Sequence, residues 1–209
     1  MQAEIALFPL NIVVFPGEDV NLHIFEPRYK ELVHDCLQQE LPFGIPSYVN
    51  SKVEYGTQVY ITEVSKTYDD GRMDIKTTAD HVFIVEDFQN PWQDHEYAGG
   101  SVEFLADDMS EDADTRLRLL DLSKELFSWL QMEDRVDLDE EMTSYTIAHK
   151  VGLKLEEEYE MLRFRAEKER QHYLVNHLKK ILPALERAEQ ARERIRLNGH
   201  FKHLDPLKF

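Results

Sequence analysis

The residues of this 209-residue chain that could carry chemistry are nine histidines, one cysteine and a scatter of serines. Their spacing argues against most of it. No pair forms H-E-x-x-H, in which two histidines four apart share a helix face and grip one zinc ion. His172 and His177 are five apart, about 140° round a helix, and diverge. His200 and His203 lie close together, but in a tail without cysteine partners. The serines stand singly, outside any G-x-S-x-G turn, and a hydroxyl without a placed base is a poor nucleophile. There is no G-x-x-x-x-G-K-[ST] loop to cradle phosphates. Cys36 sits among apolar residues at helical spacing and reads as a small core residue. No catalytic residue, metal or cofactor is expected.

Non-covalent recognition is a different matter. Tyr48, Tyr55, Tyr60, Tyr68, Trp92 and Tyr97 fall largely at strand ends or in loops, where the core demands less of them. Tyrosine and tryptophan join apolar area to a polar tip, which suits contact with a polypeptide. The same property suits the rim of a sheet, so both readings stay open. Tyr48, Tyr60, Tyr68, Trp92 and Tyr97 are the candidate polypeptide contacts. Glu26 and Arg28 flank Pro27 and are expected to pair locally, locking a turn. Phe15, Phe25, Tyr29 and Phe43 are expected in the core.

The elements that would position these residues begin with residues 5–48. Two apolar runs, Ile5–Leu10 and Ile12–Phe15, are closed by the turn Pro16-Gly17. Val20, Leu22 and Ile24 alternate with Asn21 and His23, the period of a half-buried strand. Pro27 fits the first turn of a helix, where its missing N–H costs little. Tyr29, Leu32, Val33, Cys36 and Leu37 follow at helical spacing, and Phe43-Gly44-Ile45 resumes as a strand. From 50 to 106 the pattern stays strand-like, with Asp69-Asp70-Gly71 as a hairpin turn and Asn90-Pro91 as a break. Tyr97–Leu105 reads as a strand weakened by Gly99-Gly100.

The character changes in the acidic stretch 106–114, placed here as the boundary between a unit of residues 1–108 and a helical unit of residues 109–209. Asp114 or Thr115 is expected to cap a helix carrying Leu117, Leu120, Leu122, Leu126, Phe127 and Leu130. An acidic break covers 133–141. Ser144 is expected to cap a short helix stopped at Gly152, and Leu155–Leu162 forms another. A long helix from Ala166 carries the stripe Leu174, Leu178, Ile181, Leu185 and Ala188. Pro183 kinks or divides it, and Asn198-Gly199 ends it. Arg187, Arg192, Arg194 and Arg196 are expected to lie back on the acidic half of the chain.

Charge narrows the partners. Residues 1–149 carry 10 Lys and Arg against 31 Asp and Glu, a net of −21; residues 150–209 carry 14 against 10, a net of +4. An acidic surface repels a polyphosphate, so nucleic acid is disfavoured. No apolar run approaches the ~18 residues that span a bilayer. The N-terminus lacks the pattern of a signal peptide, and one cysteine excludes an internal disulfide. A cytoplasmic protein without a membrane partner is expected.

LFPL, VVFPG, LHIFEPRY and the later FG, in this order, resemble the amino-terminal substrate-binding domain of the ATP-dependent protease Lon. They look most like the free-standing bacterial proteins made of that domain alone. The residues carrying the resemblance are Phe15, Pro16, Gly17, His23, Phe25, Glu26, Pro27, Arg28, Tyr29, Phe43 and Gly44. The family often has a glycine and a basic–aromatic pair near 78–83, where this chain has Ala79 and His81. The resemblance implies an α+β fold: a PUA-like β-barrel with one or more short helices, followed by a helical bundle with a long terminal helix. It implies a non-enzymatic module that binds unfolded or partly folded polypeptide, or a partner protein. The chain shows neither the ATPase motif nor anything similar to Lon's protease domain. An RNA-binding PUA-like protein is the second reading, on analogy of fold alone, and an unfamiliar enzyme the third.

Overall fold

The computed structural model describes residues 1–132, 138 and 142–200, the last four by their backbone alone. The acidic break at 133–141, apart from Leu138, and the tail from 201 lie outside the described residues. The described elements are β1 (Gln2–Leu7), β2 (Asp19–Ile24), α1 (Pro27–Gln39), β3 (Phe43–Pro46), β4 (Tyr55–Thr67) and β5 (Met73–Val85). They continue with β6 (Ala98–Phe104), α2 (Ala113–Leu130), α3 (Ser144–Ala148), α4 (Leu155–Met161) and α5 (Glu167–His200). The fold is mixed α+β.

One six-stranded sheet runs β2-β5-β4-β3-β1-β6, and β5 also pairs with β6, so the pairing closes into a ring. The long β4 and β5 make this possible. They form a hairpin turned at Gly71, whose φ of 77° is the conformation glycine tolerates. Register shifts along the β4–β5 ladder bend the pair.

The Ile12–Phe15 run is not a strand. Val13, Val14 and Phe15 are nonetheless buried, at 4%, 2% and 1% exposure. The Thr57 hydroxyl satisfies the Val14 carbonyl, at 2.6 Å. Phe15 stacks on Tyr145 of α3, its ring centre 5.1 Å away. Apolar character here serves a buried connection between sheet and helices, which periodicity does not distinguish from a strand.

In α1, Pro27 occupies the first turn, and Tyr29, Leu32, Val33 and Cys36 face the sheet. Burial pushes the Cys36 thiol up to about 12, so it stays protonated and inert. Glu26 and Arg28 pair at 2.8 Å, as anticipated. Phe25 corrects its expectation: it is 57% exposed, on the side of β2 away from the core, and Leu37 also faces outward.

The helices pack on one cluster with Val13, Phe15, Val82 and Leu105 from the sheet side. Asp112, not Asp114 or Thr115, caps α2 by accepting from the Thr115 backbone N–H at 3.0 Å. Leu119, Leu122, Leu126 and Phe127 are its buried face, while Leu117 and Leu130 are exposed. Thr143, not Ser144, is the cap of α3. Leu174, Val175, Leu178 and Leu182 of α5 are buried against this face, and burial fades beyond Leu185. The helix continues through Pro183 and through Asn198 and Gly199 to His200. Its distal arginines do not lie on the sheet. Arg192 and Arg196 are 81% and 79% exposed, and their carboxylate partners Glu189 and Glu193 stand one turn earlier on α5.

Two polar ties join sheet and helices. The first is His149, between Glu18 Oε2 at 3.1 Å and Glu158 Oε1 at 2.8 Å. Burial alone would lower the imidazole, but hydrogen bonds and charge from both glutamates raise it to about 9. A raised folded-state value stabilises fully below the ordinary value near 6.5 and loses that contribution as pH rises through 9. The melting temperature should therefore fall between pH 7 and pH 10 by more in the wild type than in His149→Gln. Equal falls would show that the tie contributes nothing.

The second tie is buried. Arg170 of α5 is 1% exposed. Its Nε donates to Glu167 Oε2 at 3.0 Å and Ser144 Oγ at 3.2 Å. Its Nη1 donates to the Phe164 carbonyl at 3.1 Å, and its Nη2 to Asp107 Oδ1 at 2.8 Å. Glu167, 0% exposed, also accepts from the Ser144 backbone N–H and hydroxyl, both at 2.7 Å. Ser144 is spent on this network rather than on a cap.

Candidate functional site

A groove of about 470 Å³ lies between β1, the last turns of α1 and the loop before β6. Three features of the chain build it. Glu31 and Asp35, four apart on α1, present carboxylates on one helix face. The loop is pinned to them: His95 Nδ1 lies 3.1 Å from Glu31 Oε1 and 3.4 Å from Asp35 Oδ2. The Glu96 backbone N–H donates to Glu31 Oε2 at 3.1 Å, and the Tyr97 hydroxyl to Asp35 Oδ2 at 3.0 Å. Trp92 then folds over Gly99, where any side chain would collide with the indole.

The groove's walls are mainly apolar, with Ile5, Ala6, Cys36, Leu41, Trp92 and Tyr97. Its one buried amide is Gln58 of β4, 8% exposed and lining the groove. The Gln58 side chain has no hydrogen-bond partner among the described residues. Its amide atoms remain accessible to solvent. Glu4, exposed and outside any ion pair among the described residues, lines the groove together with the partly buried Asp35. The combination of apolar walls, one unspent amide and the Glu4 carboxylate suits non-covalent binding of an amide-bearing, partly cationic ligand.

Glu31, Asp35 and His95 bring ligand atoms within 4.8 Å of one another, the geometry in which a cation could sit. Their oxygens are already occupied by the Glu96 N–H, the Tyr97 hydroxyl and His95, an arrangement complete without an ion. Burial, with Asp35 accepting its proton, pushes the Tyr97 hydroxyl well above its ordinary range.

The five aromatic candidates do not converge. Trp92 and Tyr97 pair at the groove, with ring centres 6.3 Å apart. Tyr97, however, is 3% exposed and forms its floor. Tyr48 and Tyr60 are exposed elsewhere, at 47% and 43%. Tyr68 is half-buried at the β4–β5 turn, beneath Lys66 and Arg72. Gln58 was missed by sequence reasoning. An amide beside Val59 in β4 was its signal, and the four-residue spacing of Glu31 and Asp35 was that of the carboxylates that pin the loop.

No helix among the described residues is long and apolar enough to cross a membrane. Comparison with curated proteins returns no match. The crystal structure of a Lon N-terminal domain protein from Xanthomonas campestris is similar, with a TM-score of 0.65 and 22% identity over 83% of this chain and 98% of that one. The N-terminal domain of the Mycobacterium avium complex Lon protease is similar too, with a TM-score of 0.63 and 12% identity over 85% and 98%. At such identities these neighbours establish the fold. The profile of the ATP-dependent protease La (LON) substrate-binding domain matches residues 4–184, most of the chain, and the chain therefore belongs to that family.

Proposed function

We propose that the protein is a non-enzymatic module that binds unfolded or partly folded polypeptide in the groove between β1 and α1. The observation that carries this reading is Gln58. Its side-chain amide lines a mainly apolar groove, makes no hydrogen bond to the described residues and offers a partner to a polypeptide's own amides. Family membership supports a protein-binding role. The reading extends to architecture: residues 1–108 form a PUA-like β-barrel and residues 109–209 a helical bundle, locked together by Arg170 and His149. The cytoplasm is the proposed compartment, on the strength of the single cysteine. The RNA-binding alternative meets a net charge of −21 over residues 1–149, where Lys52, Arg72 and Lys76 are each paired with a carboxylate.

Fluorescence anisotropy with labelled, reduced and carboxymethylated α-lactalbumin, a permanently unfolded chain, tests the reading. Saturable binding is expected, with competition by unlabelled unfolded chain and none by the native protein. A flat titration would sink the proposal. Tight RNA binding with a steep salt slope in a gel shift would replace it with the alternative.

A further inference from the structure

We infer that the groove takes its polypeptide as an added strand on the open edge of β1, and favours segments that alternate apolar residues with Lys or Arg. The inference rests on the polypeptide-binding reading and adds its geometry and substrate class.

The edge follows from the strand pairing. β1 pairs with β6 along its whole length, from Gln2 opposite Glu103 to Leu7 opposite Ala98. On its other side it meets β3 at one register position only, Leu7 opposite Gly44. The Phe104 N–H donates to the Met1 carbonyl, so odd-numbered backbone groups of β1 face β6. The Phe8 N–H donates to the Gly44 carbonyl, so even-numbered groups face the other side. There Leu41 and Pro42, which precede β3, line the groove. The backbone groups of Gln2 and Glu4 and the N–H of Ala6 thus face the groove without a strand opposite. An unpaired edge beside an apolar wall is the template for strand addition.

The occupant's chemistry follows from the walls. A strand laid there sends alternate side chains to the two faces. One set meets Trp92, Tyr97 and Cys36, which accept apolar groups, with Gln58 placed to bond an amide. Glu4, outside any ion pair among the described residues, lines the groove, where Lys or Arg complements it.

A fluorescein-labelled nine-residue peptide of alternating valine and lysine is the probe, beside the unfolded lactalbumin. Glu4→Pro removes one groove-facing N–H and no bond to β6, while Glu4→Gln removes only the charge. Glu4→Gln should weaken peptide binding about two- to threefold, and less at high salt. Glu4→Pro should weaken it by at least about tenfold, the worth of one lost backbone hydrogen bond plus the charge. N-methylating alternate amides of the peptide should cost wild-type binding similarly in one of the two registers, a check that requires no variant to fold. Equal affinity of Glu4→Pro and Glu4→Gln, or indifference to N-methylation in both registers, would overturn strand addition while leaving the polypeptide-binding reading intact. Absence of binding by the wild type to either probe would overturn both.

Discussion

Replacing Arg170 by alanine should lower stability by about 3–5 kcal/mol, the usual consequence of stranding one partner of a buried ion pair. Glu167 would be left in the interior with no cation, and the Phe164 carbonyl and Asp107 would lose their donors. Four separate pieces of chain meet at this one guanidinium: the segment after β6, the start of α3, the turn after α4 and α5. The effect should therefore be on the cohesion of the whole chain. For a chain of this size it corresponds to a melting temperature lower by roughly 10 °C. The double variant Arg170→Met, Glu167→Leu should recover much of the loss, because no charge is then stranded. Urea unfolding monitored by circular dichroism measures both. A loss below ~1 kcal/mol in Arg170→Ala would mean that the network is not holding the helices to the sheet.

Leu178→Ala should be the second large change. Leu178 is 0% exposed in α5, in a cluster that includes Leu119, Leu122, Leu126 and Phe127 of α2. Truncating a leucine in such a setting costs ~2–5 kcal/mol, through lost transfer energy and the cavity left behind. A stripe reserved for a partner would behave in the opposite way, leaving the melting temperature unchanged and weakening association. Thermal melts of the two proteins, with gel filtration alongside, separate these outcomes. The burial of Leu178 predicts a lower melting temperature with unchanged elution volume.

Local signals made much of the fold legible in the sequence. Pro27 marked the start of α1, alternation marked β2, Asp70-Gly71 marked the hairpin, and leucine spacing marked α5. Each depends on neighbours within a few residues. What failed depended on distant partners. Val13 and Phe15 of the run Ile12–Phe15 are buried in one cluster with Tyr145, Ile147 and Ala148 of α3, and Val14 in another with α1, rather than pairing as a strand. Ser144 has the composition of a cap but serves Glu167, twenty-three residues away. Tyr97 has the look of a rim residue, yet Asp35 draws its hydroxyl inward. Phe25 shows the reverse, an aromatic that follows the buried Ile24 of a half-buried strand and turns outward. The groove was illegible as a unit because it assembles β1, α1, β4 and the loop before β6. Two of its aromatic residues were nonetheless among the candidates, Trp92 as wall and Tyr97 as floor, while Tyr48, Tyr60 and Tyr68 lie apart from it.

Amide hydrogen exchange, with and without saturating carboxymethylated α-lactalbumin, tests the central claim most directly. Because the N–H groups of Glu4 and Ala6 face the groove, they should exchange more slowly in the complex, together with the backbone of residues 92–97. The account predicts protection centred on β1 and that loop, with β4 and β5 near Tyr60 and Tyr68 unchanged. Protection confined to the β2–β5–β4 face, with β1 exchanging as in the free protein, would contradict it.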